Sequence, residues 1–124
     1  MFLEHVNITV SDPRQTADLL ERLFDWHTRW EGPSLMGGHS IHVGDDRGYL
    51  ALYSADNVGD DPRAGRDDLV GLNHIGVVVD DLDAIHDRVT EAGIETYHFM
   101  VSDPGRRFYF RGPDDIEFEV VSYT

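Results

Sequence analysis

Apolar and polar residues alternate from Leu3 to Val10. Val6, Ile8 and Val10 share one parity, and His5, Asn7 and Thr9 the other. A period of two marks a half-buried strand. Ser11-Asp12-Pro13 then offers a capping side chain followed by proline in a first helical turn. Ala17, Leu20, Leu23 and Phe24 recur at helical spacing and predict a helix with one apolar face. Three strand-like stretches follow, near 26–31, 38–44 and 48–54. Turn signals separate them at Gly32-Pro33, Gly37-Gly38 and Asp45-Asp46-Arg47-Gly48.

The same order then returns. Leu72 to Val79 reads as a strand, and Asp80-Asp81 starts a helix carrying Leu82, Ile85 and Val89, which Gly93 ends. Strands near 94–100, 106–111 and 116–122 follow. Aligned on their histidines, residues 3–12 and 72–81 both read Leu-x-His-(Val/Ile)-x-(Ile/Val)-x-Val-x-Asp. Further along, Leu50-Ala51-Leu52-Tyr53 aligns with Phe118-Glu119-Val120-Val121. Between the halves, Ala55 to Asp68 is polar and rich in Gly, Pro and Asp, as linkers are. The reading is an α+β chain with one domain over 1–124. It comprises a βαβββ module at 1–54, a linker at 55–70 and a second βαβββ module at 71–124.

Parity assigns the faces. Val6, Ile8, Val10, Ile75, Val77 and Val79 form aliphatic sets that must pack on the helices. His5 and His74 therefore point to the opposite face of their sheets. In the last strand Ile116, Phe118 and Val120 are core, while Glu117, Glu119 and Val121 share the histidine side. Leu50 and Leu52 are core, with Tyr49, Ala51 and Tyr53 facing away. Phe108 and Phe110 are core, which leaves Arg107, Tyr109 and Arg111 with the histidines.

Charge narrows the function. There are 24 acidic and 10 basic residues, a formal net charge of −14, and every basic residue is arginine. Such a field repels phosphate backbones and argues against a nucleic-acid partner. The acid runs Gly59-Asp60-Asp61 and Asp67-Asp68 are short and read as solvated loop surface. The absence of cysteine excludes disulfides and thiolate chemistry. No apolar run approaches the roughly 20 residues of a membrane span. The chain opens directly into a strand pattern rather than a signal peptide, and a cytoplasmic protein is expected.

Two imidazoles and a carboxylate on one kind of face are the donor set of a first-row divalent metal. Imidazole suits Zn, Fe, Ni or Co, and the carboxylate admits Mn. A single histidine at a strand start is more often exposed or locally satisfied. His27, His39, His42, His86 and His98 are read that way, although His42 also fits the histidine face. Repetition in identical contexts sets His5 and His74 apart.

The βαβββ repeat with a histidine in each first strand resembles the vicinal oxygen chelate superfamily, over nearly the whole chain. That group includes glyoxalase I, extradiol dioxygenases, fosfomycin-resistance enzymes and bleomycin-resistance proteins. Its most specific segment is "RFYFRGPDDIEFEVV", residues 107–121. This is similar to the family's closing hairpin: an aromatic strand, an Asp-Pro-Asp-Gly-type turn, then a strand bearing a metal-binding glutamate. Gly112 and Asp115 depart from that turn. The resemblance implies two βαβββ modules forming curled mixed sheets around a central cup, with His5, His74 and Glu119 as ligands of a divalent metal. It also implies a homodimer, since members pair modules across a two-fold axis. The fourth glyoxalase I ligand aligns with Ala51, so an open three-ligand site is implied. Tyr109 falls where fosfomycin-resistance enzymes keep a tyrosine. Their phosphonate-binding lysine falls near Phe99, and this chain has no lysine.

The expected function is metal-dependent chemistry on a small substrate chelated through two vicinal oxygens. Lyase, isomerase, dioxygenase and transferase reactions all remain open. Tyr109 is the expected catalytic residue, donating a hydrogen bond or a proton. Arg107 is expected to clamp a substrate anion or to neutralise nearby acids, and Trp30, Tyr49 and Tyr53 to line an apolar pocket. The alternative is a non-catalytic small-molecule-binding protein of the bleomycin-resistance type.

Overall fold

A computed structural model describes residues 2–34, 37–56, 72, 74–102 and 105–124. Most of the expected linker, with both acid runs, lies outside the described residues. The chain divides into two compact units, Met1–Asp60 and Asp61–Thr124. The first contains β1 (His5–Thr9), α1 (Pro13–Phe24), β2 (His27–Pro33), β3 (His39–Asp45) and β4 (Gly48–Ser54). The second contains β5 (Ile75–Val78), α2 (Leu82–Glu91), β6 (Thr96–Ser102), β7 (Gly105–Arg111), a 3₁₀ turn at Pro113–Asp115 and β8 (Glu117–Ser122). Each unit is thus βαβββ, as its hydrophobic pattern predicts.

Each unit forms one four-stranded mixed sheet, ordered β1-β4-β3-β2 and β5-β8-β7-β6. The histidine-headed strand lies at one end and pairs in parallel with the last strand of its unit. The registers repeat residue for residue. Val6 faces Leu50 and Asn7 faces Ala51; Ile75 faces Phe118 and Gly76 faces Glu119. The alignment of Ala51 with Glu119 is therefore a structural equivalence.

Local chemistry starts both helices. Asp12 accepts from the backbone N–H groups of Arg14 and Gln15, with Pro13 at the first helical position. Asp81 accepts from Ala84 N–H. The helices cover one face of each sheet, and the core forms there. Val10, Ala17, Leu20, Leu23, Ile41, Val43 and Leu52 are buried in the first unit, and Val89, Phe108, Phe110, Phe118 and Val120 in the second. Burying each large side chain contributes about 1.5–3 kcal/mol. Ala51 and Val121, expected on the histidine side, are also covered. Both are short side chains in strands flanked on either side, so larger neighbours close over them.

The turn before β8 accounts for the departure at Gly112 but not for the one at Asp115. A Cβ on Gly112 would lie 3.2 Å from the Phe118 ring, so a side chain fits poorly there. Asp114 and Asp115 both adopt left-handed backbone, with φ of 62° and 57°. Glycine occupies that region without a Cβ penalty. Asp115→Gly is expected to stabilise the chain by about 0.5–1 kcal/mol, net of glycine's greater unfolded-state entropy. Urea unfolding would show a higher midpoint at unchanged slope. An equal or lower midpoint would contradict the strain account.

Candidate functional site

In the second unit, His74 immediately precedes β5 and Glu119 occupies the middle of β8. Gly76 stands opposite Glu119 on one side and Tyr109 on the other. A Cβ on Gly76 would meet nothing within 4 Å, so the space beside the carboxylate is open. Glu119 Oε2 lies 3.1 Å from His74 Nε2. Its other oxygen accepts from Arg107 Nη1 at 3.0 Å. The Glu119 side chain is only 12% exposed, so its ion pair with Arg107 is poorly screened. Arg107, expected either to clamp a substrate anion or to neutralise nearby acids, is engaged by the glutamate.

Tyr109 meets the His74 ring edge-on, with centroids 6.0 Å apart. Its phenol pKa is raised, first by burial and then by the negative charge of Glu119. The hydroxyl accordingly stays protonated near neutrality and can donate. Tyr97, opposite Tyr109 in β6, stacks on it at 6.2 Å. His98 sits in a β-bulge with φ of 50° and packs edge-on against both tyrosines. A recess of about 360 Å³ opens beside Tyr97, lined by Gly93, Ile94, Glu95 and Arg111.

In the first unit, His5 Nδ1 lies 2.8 Å from Glu4 Oε1, which also accepts from the Tyr49 hydroxyl at 3.1 Å. The His5 bond, followed by the Tyr49 bond, lowers the Glu4 pKa. Tyr49 stacks on His5 at 5.0 Å and on His42 at 4.6 Å, and His42 meets Trp30 at 5.1 Å. His5, Tyr49, His42 and Trp30 thus form a continuous aromatic row. Tyr53 stands apart from it, its hydroxyl donating to the Gly37 carbonyl at 3.3 Å. The His42 pKa is lowered, chiefly by burial and then by the charges of His5 and Arg29, which favours neutral imidazole.

Each unit therefore gathers part of the expected set. His74, Glu119, Arg107 and Tyr109 come together in the second. His5 and Tyr49 come together in the first, where Trp30 joins them through His42. Among the described residues, neither unit by itself brings three His, Cys, Asp or Glu side chains into a metal-sized group. His42 stands at the position equivalent to Tyr109, because each faces the Ala51/Glu119 site. The alignment of the halves carries that signal. Arg29, which lies over Tyr49 with its guanidinium carbon 4.6 Å from the ring centroid, carries none in the sequence. No helix among the described residues is long and apolar enough to cross a membrane.

Comparison with known proteins places the fold. No curated protein sequence matches significantly. A glyoxylase/bleomycin resistance protein/dioxygenase domain from Frankia sp. EAN1pec superimposes with a TM-score of 0.85 at 22% identity, covering 100% of this chain and 98% of that one. The genomically encoded fosfomycin resistance protein FosX from Listeria monocytogenes superimposes with a TM-score of 0.77 at 19% identity, covering 100% and 94%. The same protein complexed with Mn(II) and sulfate gives 0.72 at 18%, covering 98% and 92%. At these identities the likeness is one of fold. The model of the Glyoxalase/Bleomycin resistance protein/Dioxygenase superfamily matches residues 2–120, and the chain belongs to that superfamily.

Proposed function

We propose that the chain is a divalent-metal enzyme that holds its metal through His5, His74 and Glu119 and binds a small substrate through two neighbouring oxygens. The observation that carries this reading is the 3.1 Å approach of His74 Nε2 to Glu119 Oε2. Adjacent ligands each about 2.1 Å from an octahedral metal stand about 3.0 Å apart, so this pair has the spacing of two ligands. His5 supports the reading too. Its Nδ1 faces Glu4, and a carboxylate on one ring nitrogen is the usual way to fix the other as a metal ligand. FosX has been crystallised with Mn(II), which makes Mn(II) the first metal to test.

A metal held there would act as a Lewis acid toward an oxyanion on the substrate. The remaining work falls to the chain. Arg107 fixes the Glu119 carboxylate. The protonated Tyr109 hydroxyl donates a hydrogen bond, or a proton, to a substrate oxygen. Gly76 leaves the approach to Glu119 open, and the row from Tyr49 to Trp30 offers flat surface to an apolar portion.

The Arg107–Glu119 pair also favours a second reading, a metal-free binding protein, because the guanidinium already balances the carboxylate. Equilibrium dialysis against Mn(II) separates the two. About one ion per chain is expected, whereas absence of binding at millimolar Mn(II) would leave the binding-protein reading.

A further inference from the structure

Among the described residues, three arginines stand on the histidine-bearing faces: Arg29 in the first unit, and Arg107 and Arg111 in the second. Arg107 is paired with Glu119, and Arg111 lies 3.7 Å from Glu117. Elsewhere Arg14, Arg47 and Arg106 also pair with carboxylates. Arg29 has no carboxylate partner among the described residues. Its one hydrogen bond there is donated by Nη1 to the Asp45 carbonyl at 2.9 Å. Of the three arginines on these faces, Arg29 is the one without a carboxylate in contact among the described residues, although its charge is felt by the nearby Glu4.

The backbone delivers Arg29 to this face. Thr28 pairs with Val43 and Trp30 with His42, so Arg29 is the extra residue of a β-bulge. Bulges re-aim side chains. Gly44 lies between His27 and Tyr49 in the sheet. A Cβ there would lie 2.2 Å from the Gly48 carbonyl oxygen and 2.6 Å from Tyr49 Cα, so only glycine fits at this crossing. The guanidinium crosses to the Tyr49 ring, the same ring that stacks on His5. A cation–π contact holds the group by its flat face and leaves its N–H edge available. The nearby Glu4 carboxylate is already held by His5 and Tyr49.

We propose that Arg29 is an anion-binding residue on the His5 face, and that the substrate carries an oxyanionic group, a carboxylate or phosphonate, beside its chelating oxygens. This rests on the metal-enzyme reading for the chelating oxygens, but the anion site is testable without metal. The planar fork of a guanidinium matches two oxygens of such a group. The −14 field disfavours anions generally, so a local cation is what binding one requires.

The test uses methylphosphonate as probe, with metal-stripped full chain, following the Trp30 indole and Arg29 side-chain N–H resonances by NMR. The parent should bind with shifts at both, and Arg29→Gln should weaken binding about tenfold or more. Arg29→Lys should fall between, retaining charge without the fork. Arg47→Gln should match the parent. Equal affinity in parent and Arg29→Gln, or no shift at Trp30 in the parent, would overturn the proposal. Mn(II) dialysis on the same samples keeps the two readings apart. Mn(II) bound with Arg29-independent anion affinity sinks the anion site alone. Arg29-dependent anion binding without Mn(II) binding supports the anion site and sinks the metal reading.

Discussion

His74→Ala is expected to lower Mn(II) affinity by more than about 100-fold while the chain stays folded. Loss of groups that merely orient a metal's ligands costs 10–100-fold, and His74 is a proposed ligand itself. The fold should survive because the residue precedes β5 and is exposed. The core of that unit is built by Phe108, Phe110, Phe118 and Val120, on the opposite parity. Dialysis and urea unfolding of the same preparation would establish both halves of the expectation. Parent-like Mn(II) binding in a folded His74→Ala chain would remove His74 from the site.

Arg107→Met should act in the opposite place. Without metal, Glu119 would lose its only arginine partner among the described residues at 12% side-chain exposure. Breaking a buried ion pair by removing one partner is worth roughly 3–5 kcal/mol. Arg107 is 23% exposed and His74 remains beside the carboxylate, so a loss of about 2–4 kcal/mol is expected. Saturating Mn(II) should recover much of that loss, because a cation bound at Glu119 replaces the missing charge. Unfolding of parent and Arg107→Met, each with Mn(II) and after chelation, would measure it. The same stabilisation by Mn(II) in both chains would mean that the ion does not bind at the carboxylate held by Arg107.

Most of the architecture was legible because period-two alternation and helix caps are local. Asp12-Pro13 and Asp81 mark helix starts through contacts within three residues, and parity located Phe108, Phe110, Phe118 and Val120 in the core. The equivalence of Ala51 and Glu119 was legible too, because a parallel register carries an internal repeat faithfully. The bulges were not. A bulge inserts one residue without disturbing the apolar pattern around it, so nothing in "HTRWEGP" or "TYHFMVS" announces that Arg29 or His98 turns toward a neighbouring ring. The engagement of Arg107 was open for a related reason. It faces Val121 directly and reaches Glu119 only on the diagonal, a choice that depends on rotamers rather than order.

The central claim is that His5, His74 and Glu119 share one divalent cation. Anomalous diffraction at the manganese edge, from crystals grown with Mn(II), tests it most directly. The account predicts one strong peak per chain within about 2.3 Å of His74 Nε2, a Glu119 carboxylate oxygen and a His5 ring nitrogen, from the same chain or a symmetry mate. A peak held by other side chains, or clear density for His74 and Glu119 with no peak between them, would contradict it.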